Sequence, residues 1–527
     1  MGMDWMEDAS GREMCLGRYG QTLKGRAYSE KFDAQVHPGN VPMMGQGLFA
    51  NETVLPGRDL LVIPANFSVV LDTERLADTC AYCFGQKSYQ AEARGEEPKM
   101  LKACTGCNTV RYCDKECQSK SWRFIHKHEC KIFKQVYPNI LASNARAALQ
   151  LILLLPTSKI ASDDKDMFQT LTGIRSHHLR DEEFMKRSYS TATALQEITG
   201  TKIPIDDIVE FLGKLAINSF TLTSPFYDQL GICLIPWAAL FNHNCDPNAV
   251  AGFDGGYFYV KALKPIQLEE QVFISYIDNT EPIALRAGAL WKRYGFGCLC
   301  EKCLTKSGEL HDDIFLSPEI ETIRKLERDA HEALKTAKAS KDPKVAAKSL
   351  RSAMDVLEES IVWPIMRQPY LQMRDELIVY LLEAKHYQTA FIEAAIRHLR
   401  TDPVLFTQEW HPIRNLHIWT LAKLAIHISQ GIETPVTEWV DLQEYNLNLA
   451  LIIYSLLSDL NKSCWGMPTA RATYFAKFQE VKGEFVANGF DPESMQEEID
   501  EEWRKMEVMV AKAVQISREK AVIADSG

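Results

Sequence analysis

Asn242-His243-Asn244-Cys245-Asp246-Pro247-Asn248 is the stretch that decides how this chain is read. It holds one cysteine. Downstream, Cys298-x-Cys300-x2-Cys303 holds three more, one short of the four soft or borderline ligands that zinc gathers in a tetrahedron. Cys245 is the natural fourth donor, which predicts a metal site that clamps the Asn-His turn against residues 298–303. Strand-like patterning flanks the turn at Ala249–Val260, interrupted by Gly255–Gly256, and at Val272–Tyr276. Near the start of the chain, Gly47–Val70 reads as short strands, as at Leu60–Ile63 and Phe67–Leu71, and Gly45-Gln46-Gly47-Leu48 opens that region. Taken singly, each of these residues has a plain reading. A Gly-x-Gly is usually a turn, Tyr276 after β-branched residues is strand core, and Asn242 is a turn residue before Pro247.

A denser cluster lies between the two β regions. Cys80-x2-Cys83, Cys104-x2-Cys107, Cys113-x3-Cys117 and His126-x3-Cys130 make eight ligands, enough for two zinc ions. The alternation of pairs suits an interleaved arrangement. Cys80, Cys83, Cys113 and Cys117 would hold one ion, and Cys104, Cys107, His126 and Cys130 the other. Protein then fills every coordination position, so these ions hold a shape and do no chemistry. In so short a segment they supply most of the folding energy. His128 points elsewhere and reads as a surface histidine. From Cys80 to Lys134 there are 11 Lys and Arg against 6 Asp and Glu, but seven thiolates outweigh two Zn2+ and leave a local charge of about +2. Lys120, Arg123 and Lys127 still present a basic face.

At 527 residues the chain is long enough for several domains. A hydrophobic fraction of 46% and a charged fraction of 24% exclude wholesale disorder and a fibrous class. The longest apolar runs, Leu151–Leu155 and Leu449–Tyr454, fall far short of the roughly 20 residues that span a bilayer. Met1–Ser10 carries Asp4, Glu7 and Asp8 with no apolar core, so no secretory signal is expected. Met6 stands where a myristoylation motif needs Ser or Thr. A soluble intracellular protein is expected, and its 14 cysteines read as reduced metal ligands rather than disulfides. Cys15, Cys233 and Cys464 have no motif and read as packing residues. The formal net charge of −11 argues against nucleic-acid binding by the whole surface.

Helical spacing appears at Asn139–Leu155 and Gln169–Thr199, and dominates from about Ser317 onward. Pro318–Lys338, Pro343–Ile361, Arg374–Glu383, Tyr387–Leu399, Leu416–Gln430, Val440–Asp459, Ala470–Asn488 and Glu497–Ala521 are the predicted helices. Serial helices with short polar breaks suggest stacked hairpins in the manner of tetratricopeptide repeats. This half reads either as a wall for a partner or substrate, or as a scaffold covering the remainder.

In chain order, Gly45-Gln46-Gly47, the Cys/His cluster with Arg111-Tyr112-Cys113 and Trp122, Asn-His-x-Cys-x-Pro-Asn, Ile274-Ser275-Tyr276, Tyr294-Gly295-Phe296 and the closing cysteines resemble a SET-domain lysine methyltransferase. The inserted cluster resembles a MYND zinc finger, a protein-interaction module, which points to the SET-and-MYND family (SMYD). The resemblance covers Gly45 to Cys303 by motif and the C-terminal half by architecture only. It implies an α+β multidomain fold. A mainly-β SET core, threaded as a pseudoknot around Asn242, is interrupted by the MYND finger and a helical insert. A post-SET zinc motif and an all-α TPR-like C-terminal domain follow. The implied boundaries are 20–75 and 218–280 for the two parts of the SET domain and 80–130 for the finger. The insertion would cover 134–217, the post-SET motif 281–306, and the helical domain 307–520.

The resemblance also implies the cofactor, S-adenosylmethionine, alongside three zinc ions. Gly45, Gln46 and Gly47 would let backbone approach the cofactor. The Asn242 side chain, the His243 backbone and Asn218 would fix it. Tyr276 and Tyr294 would be the catalytic pair flanking a lysine channel, with Tyr276 and Phe296 also bordering the cofactor. Ser176-His177 stands near where the family's insert touches the purine, and reads as well as a plain surface pair. Three departures are visible. Glu269 replaces a glycine, at a cost on the order of 1 kcal/mol if that turn needs positive φ. Ala239-Leu240-Phe241 replaces the Ser/Leu before Asn-His, and Asn244 replaces a common Ser. None removes a catalytic group.

The expected function is transfer of methyl groups from S-adenosylmethionine to lysines of histone or non-histone proteins. The alternative is a catalytically silent adaptor or transcriptional co-regulator, and a DNA-binding regulator is the third reading. Expected partners are a protein presenting a lysine, and proteins docking on the finger and the helical domain. Nucleic acid is expected to bind weakly, with no membrane contact and a monomeric state. No Lys/Arg run marks a nuclear signal, so cytoplasm, nucleus or both are expected.

Overall fold

Alternation of apolar and polar residues sets two small sheets that carry the Asn-His turn between them. The computed structural model describes residues 33–42, 44–174, 182–305, 319–360, 363, 365–409, 411–431, 441–463 and 467–524. One sheet runs Asn242–His243, Gln271–Ile274, Gly45–Ala50, Val36–Val41. Asn242–His243 lies parallel to its neighbour while the other pairings are antiparallel. Pro38 is tolerated because it sits on the edge strand. The second sheet runs Asp33–Ala34, Asp59–Pro64, Tyr257–Ala262, Ala249–Asp254, and its last hairpin turns at Gly255, with φ +59. A third, of three strands, runs Ser68–Leu71, Gln229–Leu234, Phe220–Thr223.

Between Leu71 and Phe220 come the cysteine-rich segment and a helical layer. The former holds a short ribbon, Lys102–Ala103 on Arg111–Tyr112, and helices Gln86–Ala93, Lys115–Ser121 and Lys127–Val136. Asp114 caps the second of these by accepting from the Cys117 amide at 2.8 Å. The layer comprises Ser143–Leu154, Ser162–Thr170, Glu182–Thr199 and Ile205–Asn218. The expected span Gln169–Thr199 is therefore the end of one helix and the whole of another. Ile205–Asn218 falls within the insertion expected to be helical at 134–217, although its own bounds were not read; Ile208, Leu212 and Leu215 bury one face and Asp206 and Asp207 suit its first turn. Sheets, finger and helical layer share one buried core.

The C-terminal half builds a second core from helices packed on their neighbours in sequence. Its longer helices are Ile320–Ala339, Pro343–Glu359, Tyr370–Glu383, Tyr387–Ile396, Pro412–Ser429, Leu449–Ser463, Pro468–Ala487 and Gln496–Ala524. The helix expected at Val440–Asp459 is corrected. A short 3-10 turn at Leu442–Tyr445 ends on Asn446, whose left-handed φ of +45 breaks the chain before the helix begins at Leu449. Pro318, Ser176-His177, Cys15 and Cys464 lie outside the described residues. Among the described residues, no helix is long and apolar enough to cross a membrane.

A buried carboxylate ties the halves together. Asp254 is 1% exposed; it accepts from the Thr469 amide at 2.9 Å, in the first turn of Pro468–Ala487, and from Gln86 Nε2 at 3.2 Å. Phe226 packs beside it on Trp419 and Tyr474, with ring centroids 6.5 and 5.9 Å away. Gln368 Nε2 donates to Thr280 Oγ1 at 3.0 Å on the opposite side. The helical half is thereby held against the β core with a cavity left between them.

Candidate active site and metal clusters

Three ligand groups form: Cys80, Cys83, Cys113 and Cys117; Cys104, Cys107, His126 and Cys130; Cys245, Cys298, Cys300 and Cys303. Within each, the ligand atoms lie within 4.8 Å of one another. Four sulfurs around a tetrahedral zinc, at roughly 2.3 Å from it, stand about 3.8 Å apart. The separations here are 3.8 Å for Cys83–Cys113, 3.8 Å for Cys104–Cys130, and 4.0 and 3.5 Å from Cys245 to Cys298 and Cys303. The donor sets therefore fit zinc. Sequence reading missed the support for His126. Its Nδ1 is 3.5 Å from Glu129, which itself accepts from Gln150 Nε2 at 2.9 Å, so a carboxylate orients the ligating ring. On the finger's surface, Lys120 pairs with Glu116 at 2.7 Å, which offsets part of the basic face, and His128 is exposed.

The cavity between the halves has a volume of about 920 Å³. One end is lined by Gly45, Gln46, Asn218, Asn242, Tyr276, Tyr294 and Phe296. Gly45 adopts φ +78, which suits glycine. Gly47 needs to be small for a different reason: a Cβ there would meet Gln271 Nε2 at 2.4 Å, Val41 Cγ2 at 2.8 Å and Asn242 Nδ2 at 2.9 Å. That close approach lets Asn242 Nδ2 donate to the Gln46 carbonyl at 3.0 Å, so the Gly-x-Gly strand and the Asn-His turn are stitched side by side. Asn218 closes its helix by donating to the Thr172 and Lys214 carbonyls, both at 2.8 Å. Glu269 does take a positive φ, +62, in the turn before Gln271–Ile274, with its carboxylate 3.5 Å from His37.

His243 works through its ring. Nδ1 accepts from the Tyr276 amide at 3.1 Å, and Nε2 faces Cys245 Sγ at 3.2 Å. Burial pushes its pKa down to about 4, with Arg286 adding to the effect, so the imidazole is neutral. One side chain thus links the third metal group to the backbone of Tyr276. Helix Ile283–Tyr294, unanticipated, ends on Gly295 at φ +72, a left-handed cap that turns Tyr294 and Phe296 toward the cavity. The Tyr276 and Tyr294 rings lie 4.8 Å apart, and Phe296 is 6.5 and 6.3 Å from them. The Tyr276 hydroxyl donates to the Phe241 carbonyl, and that of Tyr294 to the Tyr276 carbonyl at 3.5 Å. Burial pushes both phenols upward, opposed at Tyr294 by Arg293, so both stay protonated at neutral pH. Two neutral phenol oxygens, free to accept, border one apolar slot.

Residues 80–130 match the family described as MYND finger. The "SET domain and MYND-type zinc finger protein 6" of Schizosaccharomyces pombe is 29% identical over 50% of this chain and 50% of its own length. "N-lysine methyltransferase SMYD2-B" of Danio rerio is 28% identical over 57% of this chain and 69% of its own length. "Histone-lysine N-methyltransferase SMYD3" of Homo sapiens is 26% identical over 44% of this chain and 55% of its own length. The chain thus aligns with between half and about seven-tenths of each of these relatives. With the finger inserted between the glycine strand and the Asn-His turn, the chain is similar to these SET- and MYND-bearing proteins in the parts it shares with them.

Proposed function

We propose that the protein transfers methyl groups from S-adenosylmethionine to lysine side chains of histone or non-histone proteins. The observation that carries this reading is the opening of the Gly45–Gly47/Asn242 cradle and the Tyr276–Tyr294 pair onto one cavity. The cradle suits a cofactor because Gly45, Gln46 and the Asn242 side chain line the cavity together, and the missing Cβ at Gly47 is what lets Asn242 pack against that strand. S-adenosylmethionine, when bound, supplies the sulfonium methyl. Gly45, Gln46, Asn218, Asn242 and the His243 backbone hold it, with Phe296 and Tyr276 at its border. Tyr276 and Tyr294 accept from the lysine amine through their hydroxyl oxygens and aim its lone pair, while their rings and Phe296 exclude water. His243, bonded to the Tyr276 amide, keeps that strand end in register.

Three zinc ions, one per ligand group, complete the account. The finger at 80–130 and the post-SET motif at 281–306 would be held by them. SET segments at 20–75 and 218–280, the insertion at 134–217 and a TPR-like domain at 307–520 follow the same reading. The parallel pairing of Asn242–His243 with Phe273–Ile274 supports a pseudoknotted SET core. Protein partners would dock on the finger and the helical domain of a monomer working in cytoplasm, nucleus or both. The relatives named for N-lysine and histone-lysine methylation support the reaction class.

The test is incubation of the purified full chain with methyl-labelled S-adenosylmethionine and a protein array, read by mass spectrometry of lysines. Labelled lysine that disappears in Tyr294→Phe supports the enzyme. An array without label, together with partner capture that survives Asn242→Ala and fails in Cys104→Ala, would instead establish the silent adaptor.

A further inference from the structure

The helix that ends on Tyr294 carries a cation into the interior. Arg286, near the start of Ile283–Tyr294, is 1% exposed. A guanidinium stays charged at any ordinary pH, and a buried charge needs a counter-charge or a metal group beside it. Arg286 Nη1 donates to the Glu281 carbonyl at 2.6 Å, and Nη2 donates to Cys303 Sγ at 3.9 Å. Its charge also reaches Cys245 and helps to keep the His243 ring neutral. Arg286 therefore borders the third ligand group, Cys245, Cys298, Cys300 and Cys303.

Zinc held by four thiolates keeps a net charge of about −2. Cys245 is buried and the other three are half-buried, so water solvates the group on its outer side and leaves its inner side to the protein. N–H donors meet it there. His243 accepts from the Tyr276 amide on Nδ1, so its proton sits on Nε2 and points at Cys245 Sγ, 3.2 Å away. The Cys300 amide donates to Cys298 Sγ at 3.5 Å, and Arg286 adds the one full cation among these donors. A carboxyl also stands close. Burial, Asp278 and Glu327 push Glu281 up to about 7 against the pull of Arg367 and Arg286. Near neutrality it carries part of a charge and shares it with Arg367, so Arg286 has the thiolate group as its larger partner.

Both phenols of the candidate site hang from this point. Arg286 lies two turns before Tyr294 on the same helix, about 12 Å along its axis. The loop that leaves Tyr276 is held at two carbonyls: Glu281 by Arg286, and Asn279 by Lys302 Nζ at 2.9 Å, beside Cys303. His243 joins Cys245 to the Tyr276 amide from the other direction.

We propose that Arg286 is the counter-ion of the third zinc–thiolate group and, acting through it, a positioning residue for the Tyr276–Tyr294 pair. The inference rests on reading that group as a zinc site and the cavity as the methyl-transfer site, and metal retention tests it without substrate. The full zinc-loaded chain is titrated with a chromophoric chelator, and Cys303→Ser marks which ion belongs to the third group. In Arg286→Met, similar in length but uncharged, that ion leaves at about 10–100-fold lower chelator, while the other two leave as in wild type. Arg286→Lys, which keeps the charge without the planar fork, holds the ion better than Arg286→Met. With cobalt in place of zinc, the sulfur-to-metal charge-transfer band of the third group moves to longer wavelength in Arg286→Met, because a thiolate without its cation gives up electron density more easily. A packing defect alone would not move that band. Transfer falls with occupancy of the third site in Arg286→Met and returns in excess zinc.

A wild-type chain that binds no third ion, equal retention in wild type and Arg286→Met, or equal loss in the Lys and Met variants overturns the counter-ion. Where Arg286→Met does not fold, Arg286→Lys carries the test: it holds the third ion within about tenfold of wild type, and a loss as complete as in Cys303→Ser overturns the proposal. Transfer at the wild-type rate in Arg286→Met with the third site empty overturns the positioning role. Metal behaviour as expected in a chain that never transfers methyl counts against the transferase reading alone.

Discussion

Two neighbouring glycines require glycine for different reasons, and substituting each separates sterics from backbone strain. In Gly47→Ala the new methyl would stand 2.4 Å from Gln271 Nε2 and 2.9 Å from Asn242 Nδ2. Overpacking of this kind costs about 1–3 kcal/mol. Displacing Asn242 also breaks its bond to the Gln46 carbonyl, worth about 1 kcal/mol. In Gly45→Ala nothing lies within 4 Å of the new methyl, but φ is +78. The strain of about 1–2 kcal/mol is partly offset by about 0.4–1 kcal/mol of lost unfolded-state entropy. The net is about 1 kcal/mol. Both variants melt earlier, Gly47→Ala by more. Only Gly47→Ala disorganises the cradle itself, so its affinity for S-adenosylmethionine by calorimetry falls at least about tenfold, equivalent to about 1.4 kcal/mol. Gly45→Ala loses less. Cofactor affinity in Gly47→Ala within twofold of wild type, or a larger loss at Gly45, would refute the reasoning.

Tyr276→Phe and Tyr294→Phe each lower methyl transfer about 100-fold, the scale of a lost oxyanion-type contact, while cofactor affinity by calorimetry changes far less. Elemental analysis finds three zinc ions per chain, one for each ligand group. Cys104→Ser loses one ion with transfer retained on a small peptide, whereas Cys303→Ser loses a different one together with transfer, since His243 joins Cys245 to Tyr276. Stability also depends on pH through Glu281. Burial, then Asp278 and Glu327, pushes its carboxyl up to about 7, against Arg367 and Arg286. The folded state prefers its protonated form, so this contribution is full below the ordinary carboxyl range and is lost as pH rises through about 7. The melting temperature falls between pH 6 and 8, and falls less in Glu281→Gln.

What was legible in the sequence was mostly local. A Cys-x2-Cys turn or a Cys and a His on one helical turn announces itself, because the metal constrains neighbours in the chain. Separations such as Cys245 to Cys298 needed only the missing-ligand argument. Gly45, with its positive φ, and Glu269, which takes the same conformation without being glycine, could be suspected from residue type alone. The helix Ile283–Tyr294 went unnoticed, and Ile205–Asn218 was expected only as part of a helical insertion, because their apolar faces abut strand-like runs and periodicity alone does not place such borders. Asn446 shows the opposite failure: an apolar pattern ran across a left-handed residue that ended it. Contacts between distant segments left no sequence signal. Asp254 reaching Thr469 and His243 bonding the Tyr276 amide each depend on how distant segments dock.

The central claim is that the Asn242 turn and the Gly45–Gly47 strand form a cofactor site, and thermal unfolding with S-adenosylmethionine tests it most directly because no substrate is needed. At roughly a hundredfold excess over Kd the account predicts about 2.7 kcal/mol of added stability, lost in Asn242→Ala. No stabilisation of a chain whose zinc sites are full would contradict it.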